Sequence, residues 1–161
     1  MKSELKIMPS LAQLDALCSS GYAIALHIRY TTPKFLFQTY DKEWMKTYSE
    51  KGLVLKDPTV MWGFGNTGIA RWSDLTELDE AGVLNMAKEY GLKHGFTFAI
   101  ASGESKSITS FARGDREFTN AEIDEISGIV QELHDYTANI EKISPEEVEQ
   151  LKNLSVDFTH G

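Results

Sequence analysis

From Tyr22 to Tyr30 the apolar residues fall on every second position: Tyr22, Ile24, Leu26, Ile28 and Tyr30 share one side, and Ala23, Ala25, His27 and Arg29 take the other. A period of two marks a strand with one apolar face. The segments around it have a period near 3.6 instead. Leu5, Met8, Leu11, Leu14, Leu17 and Cys18 recur at helical spacing over residues 3–19, which end at Gly21. Ile123, Ile126, Ile129, Val130, Leu133 and Tyr136 do the same over 119–140. A chain with both periods must lay helices on a sheet, because neither element can bury its apolar side alone.

The other elements follow from local signals. Thr31 to Lys34 contains Pro33 and reads as a turn, with Phe35 to Thr39 as the next strand. A helix is expected over 41–51, stopping at Gly52. The segment 53–70, with Asp57-Pro58 and several glycines, reads as irregular, and Ile69 to Trp72 as a short strand. Thr76 with Asp79 resembles a capping box and predicts a helix to about Leu92. Phe96 to Ser102 and Lys106 to Arg113 form a hairpin around Gly103-Glu104-Ser105. Thr119 with Glu122 is a better capping box, opening the long helix. Ser144-Pro145 starts a short last helix through Leu151 and Leu154. The expected architecture is α+β: an α-β-α sandwich whose central antiparallel sheet has about five strands, with helices on both faces.

Composition narrows the function. A chain of 161 residues suits one domain with a proper core. No apolar run approaches the roughly 18 residues of a membrane span, and no apolar stretch of a secretory signal follows the charged N-terminus. Cys18 is the only cysteine, so no disulfide framework is expected, which favours the cytoplasm. A net charge of −8 argues against a broad nucleic-acid footprint. His27, His94, His134 and His160 form no metal-ligand spacing, so neither a metal nor a cofactor is expected. No nucleophile-elbow pattern supports catalysis. Gly63-Phe-Gly65-Asn-Thr-Gly68 matches a dinucleotide fingerprint in letters, but no strand precedes it and no helix opens inside it.

The densest chemistry lies between Tyr40 and Trp72. Tyr40, Trp44 and Tyr48 are four residues apart and share one face of the expected helix. Asp57 follows amid Leu53, Val54, Leu55 and Val60. A carboxylate in apolar sequence is costly to bury unless something donates to it. Hydroxyls, an indole N–H and one carboxylate in apolar surroundings suit a small amphiphile with an amide and a tail. The simpler readings are a core-facing aromatic stripe and an Asp-Pro turn.

The combination Trp44-x3-Tyr48-x8-Asp57-Pro58, with Trp72 beyond it and His94-Gly95 later, resembles the autoinducer-binding domain of LuxR-type quorum-sensing receptors, over residues 1 to about 140. The resemblance implies a sensor, not an enzyme, that binds an N-acyl-homoserine lactone or similar amphiphile. It implies that Trp44 donates to the lactone carbonyl, Tyr40 to the acyl carbonyl, and that Asp57 accepts the amide N–H. Tyr48 and Trp72 would wall the head-group pocket, with Thr59 and Ser110 as secondary hydroxyls. Leu36, Leu55, Val60, Met61, Phe98 and Ile100 are the apolar supply for an acyl tunnel. The expected domain is 1–142, with 143–161 resembling the start of a helix-turn-helix domain cut short, so this chain is expected not to bind DNA or membrane by itself. A homodimer is expected, with the helix at 119–140 contributing through its apolar residues. The alternative is a truncated partner that inactivates full-length LuxR-type regulators in mixed dimers.

Overall fold

The computed structural model describes residues 3–29, 32–103, 105–138, 144–146 and 148–149, with the side chains of residues 3–8 left undescribed. Strands β1 (Gly21–Arg29), β2 (Thr32–Gln38), β3 (Gly68–Arg71), β4 (His94–Ser102) and β5 (Ser105–Arg113) form one antiparallel sheet in the order β2-β1-β5-β4-β3. Helices α1 (Ser3–Leu17) and α5 (Asn120–Ala138) pack on one face. Helices α2 (Lys42–Glu50), α3 (Pro58–Gly65) and α4 (Val83–Lys88) belong to the other. The expected α-β-α sandwich is therefore present. Among the described residues no helix is long and apolar enough to cross a membrane.

The pleat sorts side chains into two cores. Tyr22, Ile24, Leu26, Phe35, Phe37, Phe96 and Phe111 alternate onto the α1/α5 side, where Leu11, Leu14, Ile126 and Val130 meet them. Gly95, Thr97, Ser110 and Ala112 alternate onto the opposite side, toward Trp72, Trp44 and α4. The capping box at α5 is formed: the Thr119 N–H donates to Glu122 Oε1 at 2.9 Å, and the Glu122 N–H donates to Thr119 Oγ1 at 3.1 Å. Ile123, Ile126, Val130 and Leu133 are buried in this chain's own core. Of the apolar residues that suggested α5 as a dimer contributor, Ile129 and Tyr136 are the two left half-buried.

Several expected elements change. Thr32 to Lys34 belong to β2 rather than to a turn. The supposedly irregular segment holds a 3-10 turn at Leu53–Leu55 and then α3. Asp57 is the N-cap of α3 and Pro58 its first residue, a start signal that the glycines beyond it obscured. The helix expected up to Leu92 shrinks to α4, because 3-10 turns occupy Trp72–Leu78 and the Asp79 carboxylate caps Val83 and Leu84 instead. His27 also leaves its expected side. The β1–β5 register shifts between Ala25 and Ile28, and His27 takes φ 56. A bulge of this kind re-aims one side chain, and His27 meets α5 rather than following Ala23 and Ala25. In the last segment, Val148 N donates to Ser144 O at 3.0 Å, so the Ser144 start signal is met by one helical turn, whereas Leu151 and Leu154 lie outside the described residues.

Candidate functional site

Asp57 sits at the centre of the α2/α3 side. The residue is 9% exposed, and its carboxylate accepts hydrogen bonds from Thr59 and Tyr48. Thr59 N and Thr59 Oγ1 donate to Oδ1 at 2.8 and 2.7 Å, and Tyr48 Oη donates to Oδ2 at 2.7 Å. Burial pushes the carboxyl up from its ordinary value, and the donors from Tyr48, Thr59 and the Val60 backbone N–H oppose that shift. Tyr48 is the side-chain donor on Oδ2, and a carboxylate oxygen accepts at two positions.

Tyr40 and Trp44 supply the donors nearby. The Tyr40 hydroxyl is buried without a hydrogen-bond partner. Burial, and then the charge of Asp57, hold its phenol well above the ordinary value, so it stays protonated and able to donate. The Trp44 ring is 4% exposed and stands edge-on to Tyr48, with ring centroids 5.7 Å apart. Its other side meets Tyr90 at 5.4 Å, and Tyr90 Oη pairs with Thr47 Oγ1 at 3.1 Å. The spacing of four that grouped Tyr40, Trp44 and Tyr48 works differently from the expectation: Tyr40 precedes α2, whose N-cap is Asp41, while Trp44 and Tyr48 lie within it.

A second polar chain runs across β4 and β5. Trp72 Nε1 donates to Thr97 Oγ1 at 3.2 Å, and Thr97 Oγ1 lies 2.7 Å from Ser110 Oγ. Thr97 is fully buried, and either hydroxyl of the Thr97–Ser110 pair can be the donor. Trp72 fits because Gly95 has no side chain: a Cβ there would come within 2.5 Å of the indole. Gly63 likewise lets α3 close on β5, since a Cβ would lie 2.8 Å from Ile108. The glycine run thus serves the end of a helix and its packing, not a phosphate.

The tail-side expectations divide. α3 lies over β4 and β5, and Ala23, Ala25, Leu36 and Gln38 remain half-buried on the same face. Leu36 and Val60 are half-buried there, whereas Leu55 is 82% exposed and Met61 45% exposed. Phe98 and Ile100 correct the expectation, because strand alternation places both in the α1/α5 core. The structure thus brings Tyr40, Tyr48, Asp57 and Thr59 together, with Trp44 alongside and Trp72 joined to Ser110. It adds two residues that the sequence reading did not single out, Thr97 and Tyr90. A separate open cleft of about 410 Å³, lined by Asp15, Cys18, Ser19, Ser20, Gly21, Thr39, Asp41 and Tyr90, contains none of the seven expected site residues. Among the described residues no cluster of His, Cys, Asp or Glu could hold a metal ion.

Residues 16–137 match the model of the autoinducer binding domain. The chain is 31% identical over 109 residues to RhlR of Pseudomonas aeruginosa, a quorum-sensing regulator of the helix-turn-helix type, covering 66% of this chain and 45% of RhlR. It therefore spans less than half the length of that relative. In fold it is similar to CepR2 from Burkholderia cenocepacia, an N-acylhomoserine-lactone-dependent factor, with TM-score 0.61, 16% identity, and 78% of this chain on 79% of the other. It is also similar to the Escherichia coli protein SdiA in complex with octanoyl-rac-glycerol, with TM-score 0.60, 20% identity, and 82% of this chain on 57% of the other. These structural likenesses establish the sandwich, and the match over residues 16–137 establishes the family. The chain belongs to the autoinducer-binding domains of LuxR-type quorum-sensing transcription regulators, a family of ligand-binding regulatory domains rather than of enzymes.

Proposed function

We propose that this domain binds an N-acyl-homoserine lactone, or an amphiphile with the same amide and acyl groups, between the sheet and helices α2 and α3. The observation that carries this reading is the mismatch of donors and acceptors around Asp57. Tyr40 Oη is a buried donor without an acceptor, and beside it Asp57 Oδ2, with Tyr48 as its side-chain donor, is an oxygen able to accept at two positions. A secondary amide carries one N–H and one carbonyl and completes both. Asp57 takes the amide N–H, Tyr40 donates to the acyl carbonyl, and Trp44 donates to the lactone carbonyl. Ser110 supplies a further hydroxyl on the sheet side. Tyr48 and Thr59 hold the carboxylate in place, and Trp72 closes the head-group end. The acyl tail lies along the small residues Ala23 and Ala25 beside Leu36. CepR2 and SdiA, similar in fold, carry an acyl-lactone dependence and a bound acyl glycerol in their names, which supports an acylated ligand without choosing its head group.

Titration of the purified chain with acyl-homoserine lactones of increasing length tests this. Each methylene buried contributes about 0.8 kcal/mol, so four should raise affinity roughly two-hundredfold until the slot is full. Past that length, overfilling should reverse the trend by about 1–3 kcal/mol. A single optimum is the expected result. A flat series, with the free head group binding as tightly as any acylated form, would remove the acyl-ligand reading.

A further inference from the structure

On the α1/α5 side, opposite Asp57, one polar cluster interrupts the apolar core. The rings of His27 and His134 lie 4.5 Å apart, centroid to centroid. Every ring nitrogen has a partner. His27 Nδ1 pairs with Ser105 Oγ, and His27 Nε2 faces His134 O at 3.0 Å and Thr137 Oγ1 at 2.9 Å. His134 Nδ1 pairs with Ser107 Oγ at 2.7 Å, and His134 Nε2 with Ser102 Oγ at 2.8 Å. The backbone N–H of His27 also donates to Ser107 Oγ at 3.0 Å.

These partners fix the hydrogen of His27. A carbonyl can only accept, so His27 carries its hydrogen on Nε2 and receives the Ser105 hydroxyl hydrogen at Nδ1. Ser107 Oγ accepts the His27 N–H, and the hydroxyls of Ser102 and Ser107 serve either neutral tautomer of His134, because each can donate or accept. Both rings are neutral in this arrangement. His27 is, among the described residues, the only residue other than glycine with positive φ. Such a backbone persists only where the surroundings over-determine it. Here the ring contacts do so, and they join the bulge in β1 and the β4–β5 hairpin to the last turns of α5.

We propose that this pair is an acid-released latch: protonation of His27 and His134 frees the C-terminal half of α5 from the β4–β5 hairpin. A proton on His27 Nδ1 displaces the hydroxyl hydrogen that Ser105 donates there. A proton on both rings places two like charges in contact. The charged groups acting on the pair are Lys34 of β2, which opposes protonation of His27, and Asp135 of α5, which favours protonation of both. Burial is the largest influence on each ring, and it holds His134 below 6.5 and His27 down to about 4. Both values are lowered by folding, so the contribution of the latch is complete above 6.5 and is lost as the pH falls toward about 4. Each histidine shifts the released-to-closed ratio by up to about tenfold per pH unit within that window. The pair touches none of Tyr40, Trp44 or Asp57, so the latch stands or falls apart from the ligand reading.

Amide hydrogen exchange on the ligand-free chain, corrected for intrinsic rates, at about pH 7 and about pH 5, is the test. The expected result is at least a tenfold loss of protection over residues 130–138 that residues 22–26 do not share. Imidazole carbon shifts of His27 and His134 should move with the same midpoint. The double variant His27→Asn/His134→Gln, with an Asn that tolerates positive φ, should abolish the pH dependence. Protection of 130–138 that stays unchanged in the natural chain would overturn the latch, as would ring titration at a different midpoint or a pH dependence that persists in the double variant. Should the double variant not fold, the two measurements on the natural chain decide the matter.

Discussion

The two faces of this sheet are filled by different rules. Toward α1 and α5 the strands present Phe35, Phe37, Phe96 and Phe111 to Leu14, Ile126 and Val130, all at most 1% exposed. Toward α2 and α3 they present Ala23, Ala25, Gly95, Thr97, Ser110 and Ala112, which are small or hydroxylated. The first face is built mainly of large apolar side chains that bury one another. The second holds a buried carboxylate and, beside it, a tyrosine hydroxyl without a partner. The difference teaches where to look for function in a fold of this kind. Unmatched polar atoms lower stability, and a bound ligand that matches them recovers what was lost. The first face has one comparable atom, the Tyr22 hydroxyl, which is also buried without a partner near Asp15 and Cys18. There, however, no buried carboxylate stands beside it among the described residues.

Substitutions on the two faces should separate stability from binding. The largest effect belongs to the closed face. Phe111→Ala removes a fully buried ring stacked on Phe96 at 5.0 Å and should cost about 3–5 kcal/mol, read from denaturant unfolding. Its ligand affinity, measured on the folded fraction, should change little. A strong affinity loss would merge the two faces into one unit.

Asp57→Asn comes next. Asn still caps α3, so the helix survives, but it loses the charge that makes the amide hydrogen bond strong. Affinity for an acyl-homoserine lactone should fall by about 1.5–3 kcal/mol, or roughly tenfold to over a hundredfold, in a calorimetric titration. Asp57→Ala is the poorer test, because it removes the cap of α3 as well. An unchanged dissociation constant in Asp57→Asn would show that the carboxylate serves the helix alone.

Gly95→Ala probes the wall between the faces. Its new Cβ would meet Trp72 within 2.5 Å and push the indole off Thr97. Overpacking of this kind costs about 1–3 kcal/mol, visible as a lowered melting temperature. Affinity should fall too, because Ser110 takes its orientation from the same chain of hydroxyls. A loss of stability with intact affinity would confine Trp72 and Thr97 to packing.

Much of the closed face was legible in the sequence. The period-two run in β1, the hairpin of β4 and β5, and the Thr119/Glu122 box are local signals, and the structure contains each. α3 was hidden because its start signal, Asp57-Pro58, also reads as a turn, and because eight residues with two glycines give no helical period. His27 was assigned to the wrong side because a bulge depends on pairing with β5, which the local pattern does not encode. The candidate site shows the same division. Tyr40, Trp44, Tyr48 and Asp57 lie within one short stretch, and their spacing was readable. Thr97 was not, because its role arises only from the register that sets it opposite Ser110. Thr59 was read as a contact of the ligand, yet its hydroxyl is engaged by Asp57.

The smallest change separates the two faces most directly. Tyr40→Phe deletes a single oxygen that is buried and has no partner in the ligand-free domain. Thermal unfolding of that variant without ligand, beside its titration with an acyl-homoserine lactone, gives two numbers whose signs should differ. Stability should stay level or rise, because an unsatisfied buried hydroxyl costs about 1–3 kcal/mol. Affinity should fall by about 0.5–1.5 kcal/mol, or roughly two- to tenfold, because the acyl carbonyl loses its donor. A variant that is less stable and binds as tightly as the natural chain would contradict the claim that this face is a binding site left open for its ligand.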